Sequence, residues 1–323
     1  MRTKEQVLDI LINSKEFISG EEIANKLSIS RNSVWKAIKK LREEGNNIDA
    51  ISNKGYLLLN TNNNINSNNI RKFLNNKDFK IEVRDTVTST NTILKEYAEK
   101  GIEEGMILLA NEQTDGKGRK NRKFYSPKSA GIYMSILLRP TCNISEALFI
   151  TTASAVAVVN AVSEIIEDEV IIKWVNDVYL RNKKICGILT EASTDFETNS
   201  LKYVVLGIGL NVSVPKEGFE EEISSVAGAI FNEEVSKETH CKLIASIINK
   251  FFEFYKNLES KSFMNEYIER SILTGKEVEV LSKNKDEKGV VIGIDNEARL
   301  IIKLENEEIK KYSTGEVKIK SNI

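Results

Sequence analysis

The chain has 323 residues, enough for two or three domains, with 41% hydrophobic and 29% charged residues, as in an ordinary globular protein. A net charge of −1 excludes a general polyanion binder, so any nucleic-acid contact must come from a local patch. Three scattered cysteines (Cys142, Cys186, Cys241) and one histidine (His240) lack metal-ligand spacing and give no disulfide framework, so no metal site is expected.

The N-terminus, MRTKEQVLDI, lacks a signal-peptide pattern, and a cytoplasmic location is expected. Val7, Leu8, Leu11 and Ile12 recur at helical spacing. Ser19 with Glu22 makes a capping box that opens a second helix carrying Ile23, Ala24 and Leu27. After a Ser28-Ile29-Ser30 turn, Ser30 caps a third helix with Val34, Ile38 and Leu41 inward, and Gly45 ends it. Ile48 to Ile51 and Tyr56 to Leu59, joined around Asn53-Lys54-Gly55, read as a hairpin. Three helices and a hairpin make a winged helix-turn-helix. Its third helix would set Arg31, Asn32 and Ser33 against base edges, with Lys36 and other lysines on phosphates. The plainer alternative is a small helical domain that touches protein. Asn60 to Asn69, seven asparagines in ten residues, reads as a polar linker.

Beyond the linker, Ile70 to Leu74 suggests a short helix. Ser89-Thr90-Asn91 precedes a helix through Ile93, Leu94 and Tyr97; these three either cap it or face a ligand. Met106 to Ala110 reads as a buried strand leading to Gln113. Next comes the most distinctive stretch, Asn111 to Pro127. Five of its residues from Gly116 to Lys123 are basic (Lys117, Arg119, Lys120, Arg122, Lys123), set among glycines. Glycine permits close backbone approach, and arginine offers a planar fork for carboxylate or phosphate. Such a loop can clamp a small anion, or it can be a solvated basic loop. A strand over Ile132 to Leu138 follows, ended by Pro140, then a buried helix from Ser145 to about Ile166, whose polar Thr151, Thr152, Asn160 and Glu164 argue against a membrane span. Val170 to Trp174 is a strand before Asn176-Asp177. Val178 to Leu189 is a hairpin turning at Arg181-Asn182-Lys183, and Lys202 to Val212 is a further strand. Helical patterns cover Lys237 to Leu258 and Phe263 to Ile272. The short strands Val278 to Leu281, Gly289 to Ile294, Leu300 to Leu304 and Glu308 to Tyr312 then suggest a small SH3-like barrel, or an extension of the central sheet.

Several nucleotide and hydrolase signatures are missing. Gly207-Ile208-Gly209 lacks the third glycine of a dinucleotide fingerprint, with Val212 in its place, and no Walker loop or G-x-S-x-G occurs. A lone histidine disfavours a Ser-His-Asp triad.

Five short motifs occur in a characteristic order: Ser89-Thr90-Asn91 with Gln113, Gly116-Lys117-Gly118-Arg119, Lys173-Trp174-Val175-Asn176-Asp177, Lys184-Ile185-Cys186-Gly187-Ile188-Leu189, and Gly207-Ile208-Gly209-Leu210-Asn211. In this order the chain resembles the biotin protein ligases, and with its winged helix the bifunctional members that also repress biotin genes. The resemblance spans essentially the whole chain. It implies an α/β (α+β) fold in three parts: a winged helix-turn-helix (1–60), a catalytic domain related to class II aminoacyl-tRNA synthetases (61–272) and a C-terminal SH3-like domain (273–323). It also implies two half-reactions. Biotin and ATP with Mg2+ give biotinyl-5′-AMP and pyrophosphate, and a lysine of a biotin carboxyl-carrier domain of acetyl-CoA carboxylase or a related carboxylase then attacks.

By the same resemblance, Ser89, Thr90, Asn91 and Gln113 hold biotin, with Lys117, Gly118, Arg119 and Lys184 at its carboxylate. Gly116, Arg119, Arg122, Asn176, Asp177 and Asn211 serve the nucleotide, and an equivalent of the family's aromatic at position 124 is left open. Arg119, Lys184 and Asp177 carry catalysis. The implied partners are operator DNA and a second copy of the chain when the adenylate is bound, with no membrane. Two departures stand out: Val175 where the family usually has proline, and Asn121 where many members have glycine. Lys117, where many have arginine, keeps the charge without the fork. A ligase whose winged helix no longer binds DNA, a small-anion-sensing transcription factor without catalysis, and a lipoate ligase are the rival readings.

Overall fold

The structure is a computed structural model that describes residues 3–14, 16–43, 46, 48–58, 65–141, 146–195, 200–281 and 286–319. Gly45, Leu59, Asn60, Asn62 to Asn64, Cys142 and Ser145, which figure in the sequence reading, lie outside that set.

Helices α1 (Thr3–Asn13), α2 (Gly20–Leu27) and α3 (Arg31–Glu43) bury Val7, Leu8, Leu11, Ile23, Ala24, Val34, Ile38 and Leu41 in one small core. The Ser19 hydroxyl accepts from the Glu22 N–H (3.0 Å), and Ser30 accepts from Ser33 (3.1 Å), as the caps require. Strands β1 (Ile48–Ile51) and β2 (Gly55–Leu58) form the antiparallel wing. Gly55 is obligatory there. Its φ is +104°, and a Cβ would fall 2.2 Å from the Ile18 carbonyl oxygen.

The central unit begins with α4 (Ser67–Arg71), earlier than expected because Asn66, read as linker, caps it through Asn69 (2.9 Å). Then come β3 (Lys80–Val87), α5 (Thr90–Glu99), β4 (Met106–Gln113), β5 (Gly131–Leu138), α6 (Ala147–Ser163), β6 (Val170–Lys173), β7 (Asp177–Leu180), β8 (Lys183–Asp195) and β9 (Ser200–Asn211). The strands form one mixed sheet in the order β3-β4-β5-β9-β8-β7-β6, with β3 and β4 parallel and the other pairs antiparallel. Sequence reading does not place β3. Its Ile81 and Val83 alternate with charges and are only half-buried at the sheet edge.

Both faces of the sheet are covered, which is why β4, β5 and β9 read as apolar runs. Leu94 and Ala98 of α5 pack on Leu108, Leu137 and Val205. On the other face α6 lies between the sheet and α8 (Lys237–Tyr255), with α9 (Met264–Glu269) beyond. Enclosure on all sides explains why α6 is apolar around its circumference. The short α7 (Glu221–Ser224) is an addition to the expected elements, and the last two helices end sooner than their apolar patterns.

Strands β10 (Glu277–Leu281), β11 (Glu287–Ile294), β12 (Leu300–Leu304), β13 (Ile309–Tyr312) and β14 (Glu316–Ile319) form a separate antiparallel sheet in the order β13-β12-β11-β10-β14. This excludes an extension of the central sheet and fits the expected small C-terminal β domain. It is joined to the central unit where the Trp174 indole N–H donates to the Ala298 carbonyl (2.8 Å).

Candidate active site

A cavity of about 330 Å³ opens over β8 and β9. Gly207 and Gly209 form its floor. A Cβ on Gly207 would sit 2.3 Å from Asn91 Oδ1, and one on Gly209 would sit 2.5 Å from the Phe124 ring. Any side chain at these positions would collide with a residue that lines the cavity.

One end is polar and uncharged. Ser89, Thr90 and Asn91 start α5 and are almost wholly buried. Ser89 occupies the N-cap position without a side-chain capping bond, so the capping role does not account for it. The Thr90 N–H and hydroxyl both approach Gln113 Oε1 (2.9 and 3.1 Å), and the Gln113 amide donates to Ser126 Oγ (2.9 Å). Ser135, which sequence reading passed over within an apolar strand, is fully buried between Thr90 Oγ1 (2.7 Å) and Asn91 Oδ1 (2.6 Å). Asn91 donates to Glu191 (2.9 Å), itself paired with Lys95 (2.7 Å). Burial pushes the Glu191 carboxyl up, but Lys95 and Asn91 outweigh it and hold it below its ordinary value. The network fixes the orientation of each group at this end.

The other end is cationic. The loop from Gly116 folds back through Phe124 N–H to Gly116 O (2.8 Å) and Gly118 N–H to Arg122 O (2.7 Å). Lys120 and Asn121 take φ of +54° and +60°. Asparagine is among the residues that best tolerate that region, so Asn121 meets the backbone requirement there without glycine. Arg119 donates to Asn176 Oδ1 (2.9 Å) and to the Gly315 carbonyl (3.3 Å). Lys184 Nζ lies 2.6 Å from Asp177 Oδ1. Lys117, Lys173 and Tyr179 also line the cavity. Burial pushes the Lys173 ammonium pKa down, with Asp177 partly opposing it.

The segment around Val175 is well anchored without proline. The Trp174–Val175 peptide bond is cis. Val175 O accepts from the Tyr267 hydroxyl (3.0 Å), and Asn176 Nδ2 donates to Ile188 O (2.8 Å).

The position left open is filled, and two contributors had no local signal. Position 124 is Phe124, its ring over Gly209 and edge-on to Tyr133 at 6.5 Å. Gly315 and Glu316 come from β14 and its approach. Glu316 pairs with Arg122 (2.7 Å) and Lys120 (3.3 Å). Burial raises the Glu316 pKa, but the two cations hold it below its ordinary value. Two expected ligand residues do not line the cavity. Gly116 shapes the loop, since a Cβ there would fall 2.4 Å from Phe124 O. Asn211 donates to Gly228 O (2.9 Å), steadying the segment whose Val226 O accepts from the Lys184 N–H (2.8 Å). No cluster of three or more His, Cys, Asp or Glu side chains suited to a metal occurs among the described residues.

On α3, Arg31, Asn32 and Lys36 are exposed, as a groove-reading helix requires. Arg31 stands 3.9 Å from Glu21, and the Ser33 hydroxyl is engaged by Ser30 (2.8 Å). No helix among the described residues is long and apolar enough to cross a membrane.

Three family models match the chain: an HTH domain over residues 3–57, the Biotin/lipoate A/B protein ligase family over 83–211, and the Biotin protein ligase C terminal domain over 273–319. The Bifunctional ligase/repressor BirA of Bacillus subtilis is 30% identical over 309 residues, covering 94% of each chain. The protein of the same name from Escherichia coli is 24% identical over 315 residues, covering 96% of this chain and 95% of that one. The biotin protein ligase from Aquifex aeolicus, solved in complex with biotin and ATP, superposes with a TM-score of 0.62 at 29% identity, covering 75% of this chain and 98% of that one.

Proposed function

The chain belongs to the family of bifunctional biotin protein ligases and repressors, and from that membership we propose how its residues divide the work. Residues 1–60 bind operator DNA, 61–272 carry the ligase, and 273–323 complete its active site. One observation carries the reading: a single cavity joins a neutral hydrogen-bonding end to a cationic end. Biotin has matching ends, a neutral ureido ring and a carboxylate.

Ser89, Thr90, Asn91 and Gln113 receive the ureido group. Their mutual bonds fix donor and acceptor directions before the ligand arrives. The carboxylate then lies among Lys117, Gly118, Arg119 and Lys184. ATP enters with its α-phosphate at the same point, served by Arg119, Arg122, Asn176 and Asp177, with Gly116 shaping the loop and Asn211 supporting the neighbouring segment. Mg2+ comes with the nucleotide; Asn176 and Asp177 are oxygen donors at hand, consistent with a cation that keeps most of its ligands from phosphate and water.

A biotin carboxylate oxygen attacks the α-phosphorus, and pyrophosphate leaves. Two anions meet in this step, so fixed cations lower its barrier. Arg119 and Lys184 supply them. In the second step the amine of a carrier lysine attacks the acyl carbon of biotinyl-5′-AMP and AMP departs. Asp177 takes the amine proton, which requires it to loosen from Lys184. The acceptor is a biotin carboxyl-carrier domain of a carboxylase, and the compartment is the cytoplasm.

For repression, one winged helix offers few base contacts, so two copies on a palindrome supply avidity. The adenylate orders the Gly116 to Lys123 loop and favours the dimer; by linkage the dimer holds the adenylate more tightly. Labelled biotin, MgATP and a carrier domain test the ligase, which fails if no label reaches the carrier. Sedimentation and operator titration at fixed salt, with and without the adenylate, test the switch. If the ligand changes neither association nor DNA affinity, only the ligase remains.

A further inference from the structure

α3 exposes a side chain that neither packing nor the ligase reaction uses. Trp35 is 53% exposed, the most exposed aromatic residue among the described large hydrophobics. A single exposed aromatic is ordinary; what distinguishes Trp35 is that it stands among exposed cations on the side of α3 that faces away from the core.

Its neighbours identify the partner. Val34, Ala37, Ile38 and Leu41 are buried and define the inward side of α3. At 100° per residue, Asn32, Lys36 and Lys39 centre on the opposite side, and Trp35 lies at their border, one turn from Arg31 and Lys39. Lys39 Nζ stands 5.8 Å from the indole centroid. Arg31, Lys36, Lys39 and Lys40 are all exposed. An indole ringed by cations suits a polyanion that also offers an apolar spot. The DNA major groove offers both: phosphates at its edges, and the thymine 5-methyl group on its floor. An acidic protein surface would match the cations without giving the indole so defined an apolar target.

We propose that Trp35 is a specificity-determining residue of the DNA interface, packing its indole against a thymine 5-methyl group while Lys36 and Lys39 hold the flanking phosphates. The proposal rests on the operator-binding reading and adds the base it selects.

The test begins by selecting the preferred duplex from a random library with the full chain, biotin and MgATP. Thymines in that duplex are then replaced singly by deoxyuridine, which removes only the methyl group. At one thymine in each half-site the wild type should lose about three- to fivefold in affinity, the worth of one buried methyl. Trp35→Ala should bind the parent duplex more weakly and be indifferent to that replacement. Trp35→Phe should keep part of the discrimination. Folding of the winged helix is checked by an unchanged circular-dichroism spectrum and melting temperature, and near-normal ligation shows that the rest of the chain is intact. Indole fluorescence gives a second reading: of the two tryptophans, Trp174 is buried, so protection from iodide on adding the duplex reports Trp35. If Trp35→Ala keeps the wild-type deoxyuridine profile, or if the wild type is indifferent at every thymine, the proposal is overturned. Loss of self-association in Trp35→Ala with an unchanged base profile would assign the indole to contact with a second copy instead. Failure of the wild type to select any duplex would overturn both the proposal and the operator reading, while ligation would be untouched.

Discussion

Substituting Gly207 by alanine tests whether the neutral end of the cavity is set by side-chain spacing. The new Cβ would lie 2.3 Å from Asn91 Oδ1, against an ordinary contact of 3.4 Å or more, so Asn91 must retreat by about 1 Å. Asn91 is not free to do so. Its oxygen is 2.6 Å from Ser135 Oγ and its nitrogen 2.9 Å from Glu191. Overpacking a filled interior costs about 1–3 kcal/mol. Losing a hydrogen bond to a charged group costs about 1.5–3 kcal/mol. Allowing for partial relaxation, roughly 3 kcal/mol is at stake, equivalent to about a hundredfold in affinity if it falls on the ligand. Titration calorimetry of Gly207→Ala with biotin should show a loss of that order, with nucleotide binding little changed. Adding Asn91→Ser, which removes the clashing amide, should recover part of the loss. Biotin affinity equal to wild type in Gly207→Ala would refute the spacing argument.

Three further outcomes are expected. Lys184→Ala removes one fixed cation and should slow pyrophosphate release by about 10²–10³; a near-normal rate would reduce Lys184 to a turn residue. Arg119→Gly cuts the ties to Asn176 and Gly315 and should release biotinyl-5′-AMP early, read as labelling of bystander lysines; labelling confined to the carrier would contradict that role. Asp295 is raised by burial but lowered more strongly by Arg299 and Lys311, to a pKa of about 2. Its folded pKa is depressed, so its contribution is full above the unfolded value near 4 and fades as pH falls through about 2. Asp295→Asn should therefore cost about 2 kcal/mol at pH 7, visible in denaturant midpoints, and the gap should close in acid; a gap independent of pH would show that the ion pairs are not its source.

Local chemistry in the sequence located most elements. The capping serines Ser19 and Ser30, the wing glycine Gly55 and the Arg181-Asn182 turn each carry a backbone requirement that a few residue types satisfy. The cavity motifs were legible because short polar and glycine runs interrupt apolar strands. What escaped was non-local or ambiguous. β3 alternates weakly because it is an edge strand, and α4 hid in an asparagine run whose Asn66 is a cap. Ser135 was masked by the apolar residues around it, though a hydroxyl in a fully buried strand is itself a signal. Glu316 meets Arg122 across nearly two hundred positions, a pairing that no window of sequence contains.

The tie between Arg119 and the Gly315 carbonyl has a consequence for how the gene tolerates change. A main-chain oxygen is present whatever residue stands there, so point substitution cannot delete the acceptor. What holds it in place is the pairing of β14 with β10, where Glu316 lies opposite Leu281 and Val317 opposite Val280. In a strand, a slip of one position sends each side chain to the other face. Loss of a single codon between Tyr312 and Gly315 would thus turn Glu316 away from Arg122 and bring an apolar residue in its stead. This part of the chain should accept many amino-acid replacements and few changes of length.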